Sequence, residues 1–241
     1  MGADSHAILV PVNGRIAQDI AMIFDLDGVL VDSMPLHITA WEQYLEGLGI
    51  HVEDMERRMH GKRNPELVRE LIGRDMAEDV VLGHGAAKER LFREMLAKSE
   101  LAQSGVPGVI EFLERYQGIP KAIGSNAETA NIDFVLDRLG LRKYFPIVVD
   151  GFQVSRPKPF PDIYLRAAEL LGVQPGSCIV FEDSPTGVEA GMAAGMRVVG
   201  VETTPTKFVG VDLHVKDFLD AKLQPWVEAQ LASHEERIWG R

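Results

Sequence analysis

A chain of 241 residues, 46% hydrophobic and 25% charged, can bury the core of one large or two modest domains and has the composition of a globular protein. Its formal net charge of -11 argues against nucleic acid or an anionic membrane as the default partner. The single cysteine, Cys178, excludes an internal disulfide, and no apolar stretch reaches membrane-spanning length.

Residues 1–19 read as a lead-in. No basic region precedes the short apolar stretch Ala7–Val12, so no signal peptide is expected and the chain reads as cytoplasmic. Ile20–Phe24 is a short apolar run that suits a strand buried on both faces of a parallel sheet. It ends abruptly in Asp25-Leu26-Asp27-Gly28. In an extended chain the two carboxylates would face the same way. Anions that close repel unless a cation sits between them or one keeps its proton. Gly28 then allows a sharp turn.

Residues 36–48 read as a helix with Trp41, Tyr44, Leu45 and Leu48 on one face, and Gly49 closes it. The stretch 51–101 continues mostly helical, with breaks expected at Gly61, Pro65, Gly73 and Gly83-His84-Gly85 and helical spacing over Glu66–Ile72 and Ala86–Leu96. Residues 34–105 therefore read as an all-helical insert between two hinges. From 106 the texture becomes alternating helix and strand. Helices are predicted over Val109–Gln117 and Glu128–Leu139 and from Pro161-Asp162 and Ser184-Pro185 onward. Strands are predicted over Pro120–Gly124, Ile147–Asp150, Ser177–Phe181, Arg197–Val201 and Leu213–Val215. The alternation implies a doubly wound parallel α/β sheet built from residues 20–33 and 106–220, with 1–19 and 221–241 as terminal extensions. Gly187, Gly191 and Gly195, four residues apart, are expected at close helix–sheet contacts.

The predicted strand ends carry Asp25 and Asp27, then Ser125 and Asn126, then Glu182 and Asp183, with Lys158 in the loop after another. In a parallel sheet these ends share one edge, so the groups can meet in one crevice. Carboxylates suit a hard cation such as Mg²⁺, and a lysine and a serine beside them suit a phosphoryl group. Backbone N–H groups at Asn126 and Ala127 would add to the anion site. With no Cys/His cluster, zinc is not expected. Each fragment has a plainer setting: Lys158 in a stiff loop between prolines, Ser125-Asn126 and Glu182-Asp183 as helix caps.

The set Asp25-Leu26-Asp27-Gly28-Val29-Leu30-Val31-Asp32-Ser33, Gly124-Ser125-Asn126, Arg156-Pro157-Lys158-Pro159 and Phe181-Glu182-Asp183-Ser184 resembles the haloacid dehalogenase (HAD) superfamily of phosphotransferases over residues 20–220. The resemblance is to the branch that contains β-phosphoglucomutase and small-molecule phosphatases. It implies a Rossmann-like core and a mobile helical cap. It implies Asp25 as a nucleophile forming an aspartyl-phosphate and Asp27 as the acid and base. Mg²⁺ would be held by the Asp25 carboxylate, the Asp27 backbone carbonyl and Asp183, with Glu182 among the ligands or just behind them. Ser125, Asn126 and Lys158 would bind the phosphate.

The same resemblance assigns the cap residues. In β-phosphoglucomutase-like proteins a cap histidine, a basic residue before a glycine, an arginine three residues after it and a lysine serve the sugar phosphate. His37, His60 and Lys88 match by position, but Asn64 stands where the arginine is expected, with Arg63 beside it. Asparagine cannot replace that charge. The expectation is therefore a monomeric, Mg²⁺-dependent phosphatase of a small phosphorylated metabolite, a sugar phosphate, with β-phosphoglucomutase as the alternative. Packing beside Trp41 is the simpler setting for His37, and a solvated helix face the simpler one for Lys88.

Overall fold

The computed structural model describes residues 20–59, 62–99, 105–203 and 208–239. Among them six parallel strands form one sheet: β1 (Ala21–Phe24), β2 (Lys121–Ser125), β3 (Ile147–Asp150), β4 (Cys178–Glu182), β5 (Arg197–Val201) and β6 (Leu213–Val215), in the order β3-β2-β1-β4-β5-β6. The order reverses at β1, so the crevice of this doubly wound sheet opens beyond the end of β1, between β2 and β4.

Side-chain alternation along β1 feeds two cores. Met22 and Phe24 face α5 (Val109–Arg115), α6 (Thr129–Arg138) and the C-terminal α9 (Leu223–Trp239). Ala21 and Ile23 face α7 (Asp162–Leu171) and α8 (Pro185–Ala193). Leu223 and Val227 are fully buried, so α9, in the expected terminal extension, is part of the first core. Phe24 pairs in register with Phe181, and their rings stack 4.5 Å apart. The residues that follow, Asp25 and Glu182, therefore leave the sheet side by side.

Four helices lie between β1 and α5: α1 (Met34–Gly47), α2 (Met55–Met59), α3 (Asn64–Leu71) and α4 (Glu78–Lys98). They enclose a core of their own, with Trp41, Leu45, Met55, Leu67, Val68 and Val81. The expected break at Gly83-His84-Gly85 does not occur, because α4 runs unbroken through it. Two glycines cost a helix about 2 kcal/mol together, and packing on both sides of them offsets that. Val81 and Lys88 are buried, His84 Nδ1 bonds the Tyr44 hydroxyl at 2.7 Å, and a Cβ on Gly85 would lie 3.3 Å from Asn64 Cβ. Pro65 starts α3 rather than interrupting a helix. Of the three spaced glycines, Gly187 and Gly191 do sit at tight contacts, where a Cβ would fall 1.7 Å from Glu182 Oε1 and 2.9 Å from Val198 Cγ2. Gly195 does not: nothing lies near its Cβ position, and it is needed for its φ of 71°.

Candidate active site

The chain leaves β1 at Asp25 and turns at Gly28, whose φ is 74°. A Cβ there would fall 1.9 Å from Asp183 Oδ2, so glycine is demanded both by the turn and by the approach of a carboxylate. Lys158 arrives from the β3–α7 loop and places its ammonium 2.6 Å from Asp25 Oδ1 and 2.5 Å from Glu182 Oε1. Acidic oxygens of Asp25, Glu182 and Asp183 lie within 4.8 Å of one another, and all three residues are buried. Three carboxylates thus surround one ammonium.

The electrostatics follow from that crowding. Burial raises the Asp25 carboxyl to about 7; Lys158 opposes the rise, and Glu182 and Asp27 add to it. Asp183 is raised well above the ordinary range by burial and by Glu182 and Asp25. Burial alone would lower the Lys158 ammonium, but Asp25 and Glu182 on either side raise it. Carboxyls raised in this way, by burial first and by one another second, mark an excess of negative charge in the pocket. That excess, with an all-oxygen donor set, fits a hard divalent cation.

Glu182 is unlike its neighbours. Its Oε1 accepts from Lys158 and from the Tyr164 hydroxyl at 2.6 Å. Its Oε2 accepts from the Asp183 and Ser184 N–H groups and the Ser184 hydroxyl at 3.0–3.1 Å. Five donors occupy one fully buried carboxylate, so it orients Lys158 and the Asp183 turn. Tyr164 had no part in the sequence reading. Its signal was a hydroxyl on the buried face of α7, where a partner is obligatory. The Tyr164 ring also lies 4.9 Å under the Lys158 ammonium, and a Cβ on Gly124 would lie 3.2 Å from it. Tyr164→Phe is expected to keep the fold and cost about 1–2 kcal/mol. Urea unfolding at equilibrium checks this.

Asp27 points elsewhere. Its Oδ1 accepts from the Ser33 hydroxyl and lies 3.4 Å from His37 Nε2. Burial would raise this carboxyl, but His37 and Ser33 outweigh it and the net shift is downward. His37 does not pack on Trp41: its ring stacks on Phe92 at 3.7 Å. Nor is Lys88 solvated. It is 1% exposed, its ammonium 2.7 Å from His37 Nδ1 and 2.9 Å from Glu89 Oε1. The other ring nitrogen, Nε2, faces Asp27. Lys88 lies on a helix with charges on every side, so its spacing did not separate it from the solvated ones.

Ser125 is buried at the end of β2, and its Oγ accepts the Ala127 N–H at 3.2 Å. That N–H is therefore already used, and α6 starts at Thr129, one residue later than the sequence suggested. The Lys158 N–H donates to Asn126 Oδ1 at 3.4 Å. Asn64 donates to Glu89 Oε1 at 2.6 Å, and Asn131 of α6 to Glu89 Oε2 at 2.7 Å. The Arg63 guanidinium pairs with Glu66 at 3.2 Å. His60 lies outside the described residues.

The haloacid dehalogenase-like hydrolase family matches residues 21–195. The chain is 38% identical over 189 residues to a phosphorylated carbohydrates phosphatase of Thermotoga maritima, covering 75% of this chain and 84% of that protein. It is 31% identical over 211 residues to the β-phosphoglucomutase of Bacillus subtilis, covering 85% of this chain and 92% of that one. The crystal structure of a family IA HAD hydrolase from Entamoeba histolytica superposes with a TM-score of 0.79 at 26% identity, over 90% of this chain and 99% of that one. The chain belongs to the haloacid dehalogenase-like hydrolases. No helix among the described residues is long and apolar enough to cross a membrane.

Proposed function

We propose that the protein is a phosphatase that hydrolyses a small phosphorylated metabolite, a sugar phosphate, through a phosphoryl group carried on Asp25. The observation that carries this reading is the Asp25 carboxylate at the end of β1, 2.6 Å from Lys158 and within 4.8 Å of Glu182 and Asp183.

In the first half-reaction an Asp25 oxygen attacks phosphorus and the bond to the sugar oxygen breaks. A proton on Asp27 passes to that oxygen and the alcohol leaves. In the second half a water attacks phosphorus. Its proton goes to Asp27, the Asp25–phosphorus bond breaks, and phosphate departs. The Ser33 hydroxyl and the His37 imidazole on Asp27 Oδ1 hold its carboxyl low, which favours release of its proton in the first half. Lys158, oriented by Glu182 and Tyr164, holds the transferring oxygens, and Ser125 and Asn126 line the phosphate's other side. Asp25, Asp183 and the Asp27 backbone carbonyl would hold Mg²⁺, with Glu182 supporting them. Bound there, the ion neutralises the carboxylates and polarises the phosphoryl oxygens.

The helical insert is the cap. It faces the β2–α6 and β3–α7 loops across a cleft lined by α3 and α4, and its movement would admit the sugar and then exclude water. The uncharged Asn64, tied to Glu89, favours release to water over a mutase cycle. A mutase must keep hold of a second phosphate while its bisphosphate intermediate turns over.

The test is a kinetic screen of sugar phosphates with Mg²⁺, following phosphate release and isomerisation separately, with and without a bisphosphate primer. Phosphate release alone is expected. Primer-dependent isomerisation with little free phosphate would replace this reading with the mutase.

A second expectation concerns pH. In the metal-free protein the Asp25 carboxyl is raised from 3.8 to about 7, so between those values the folded state binds the extra proton. Stability of the metal-free protein is then expected to fall as pH rises from about 4 to 7. Mg²⁺ displaces that proton, so its affinity rises over the same window. Thermal melts at pH 5.5 and 8, with EDTA or Mg²⁺, check both. A metal-free Tm that rises with pH would contradict the argument.

A further inference from the structure

We propose that the far wall of the active-site cleft, built by Glu128 on the core with Asn64 and Glu89 on the cap, selects a leaving group that bears hydroxyls and excludes one that carries a second anion. This rests on the phosphatase reading and names the substrate class for that same cleft.

The cleft adjoins the loop that carries Lys158. One of its lining residues, Asn126, accepts a hydrogen bond from the N–H of Lys158, whose ammonium sits on Asp25. Moving outward from Asn126, the lining continues through Glu128 and Gly151 on the core and Asn64 and Arg63 on the cap. Its charged side chains are thus Arg63 and Glu128. The Arg63 guanidinium makes two bonds to Glu66, at 3.2 and 3.4 Å. Glu128 stands at the N-cap of α6 without capping its own helix, and its carboxylate lies against the Asn64 amide at the cleft. Behind it lies the buried Glu89, which fixes the Asn64 and Asn131 amides. The two cations beside it are also held: Lys88 by Glu89 and His37, and Arg93 by Asn131 Oδ1 at 2.6 Å.

A substrate whose phosphate reaches Asp25 and Lys158 must put the rest of itself against this wall. Asn64 Nδ2 donates to Glu89 and Asn126 Oδ1 accepts from Lys158, which leaves the Asn64 carbonyl and the Asn126 amide N–H groups for hydroxyls. A carboxylate or second phosphate placed there meets Glu128, while the cation among the lining residues, Arg63, is paired with Glu66. Like charges in such a cleft cost enough to decide specificity. The raised Glu128 carboxyl, shifted by burial and by Glu89, reflects how poorly this corner accepts more negative charge.

The test compares two pairs of substrates that differ by one anion: sorbitol 6-phosphate with 6-phosphogluconate, and glucose 6-phosphate with glucose 1,6-bisphosphate. The wild type is expected to favour the singly charged partner of each pair in kcat/KM by at least ~10-fold. Glu128→Lys is expected to shrink both ratios at least ~10-fold, with Glu128→Gln between. Circular dichroism and Tm establish that the variants fold; should the lysine variant not fold, the glutamine variant decides. Ratios near one in the wild type, or ratios that move in neither variant, would overturn the proposal. Hydrolysis of p-nitrophenyl phosphate separates the two levels. If that ester is cleaved but the ratios are flat, only this inference falls. If no phosphate ester is cleaved, the phosphatase reading falls and takes this one with it.

Discussion

Asp25→Asn is expected to lower turnover of every phosphate ester by at least ~10³-fold, as loss of a nucleophile does. An amide cannot form the mixed anhydride with phosphorus, while the volume and the acceptor facing Lys158 are kept. Stability should not suffer. Asp25 is one of three clustered buried carboxylates, and an amide there removes the burial penalty that chiefly raises its carboxyl to about 7, together with its repulsion of Glu182 and Asp183. The metal-free variant at pH 8 should therefore melt at or above the wild-type temperature. This pairing of outcomes separates chemistry from folding. Rapid quench with a ³²P-labelled sugar phosphate provides the direct check, with label on the wild-type chain and none on the variant. Activity within ten-fold of wild type would remove Asp25 from the nucleophile's place.

Much of this site was legible in the sequence because a parallel sheet translates linear order into spatial coincidence. Asp25, Ser125 and Glu182 each stand at or just past the end of an apolar run, and the topology leaves them no other place to be than one edge. Lys158 is further from its strand, yet a loop leaving the same edge delivers it. The direction of the Asp27 carboxylate was not legible. Period-two alternation predicts that it lies parallel to Asp25, but the chain has already left the sheet there, and Gly28 turns it toward Ser33 and His37. Helical patterning was weakest in the cap. Gly83 and Gly85 signal a break by propensity alone, and only the facing residues Tyr44 and Asn64 show why the helix continues. Lys88 and Glu89 illustrate the same limit. A buried ion pair and a solvated one look identical in a charged helix, and burial is decided by what α1, α3 and α6 bring to them.

Lys158→Met is the complementary experiment, because it removes the only ammonium hydrogen-bonded to Asp25 and Glu182 among the described residues. Methionine keeps the length and apolar stem, so packing against Tyr164 survives and the loss is charge. Asp25 then loses the ammonium it faces and Glu182 one of its five donors, and removing one member of such a cluster costs about 3–5 kcal/mol. The cost should depend on pH. At pH 5.5 the Asp25 carboxyl, raised to about 7, is already protonated, so little is lost there. At pH 8 the wild-type group is ionised against Lys158, while the variant must either hold a proton or bear the repulsion. The Tm difference between the two proteins is therefore expected to widen from pH 5.5 to 8, and Mg²⁺ should narrow it at pH 8 by supplying a cation in place of the ammonium. Catalysis should fall ~10²–10³-fold even with saturating Mg²⁺, since a donor aimed at the transferring oxygens is gone. Lys158→Arg separates the two roles: it restores the charge and so part of the stability. The guanidinium fork cannot sit between Asp25, Glu182 and the Tyr164 ring as a compact ammonium does, so turnover should stay low. A methionine variant with the same pH dependence of Tm as the wild type would show that Lys158 does not set the charge balance of this pocket.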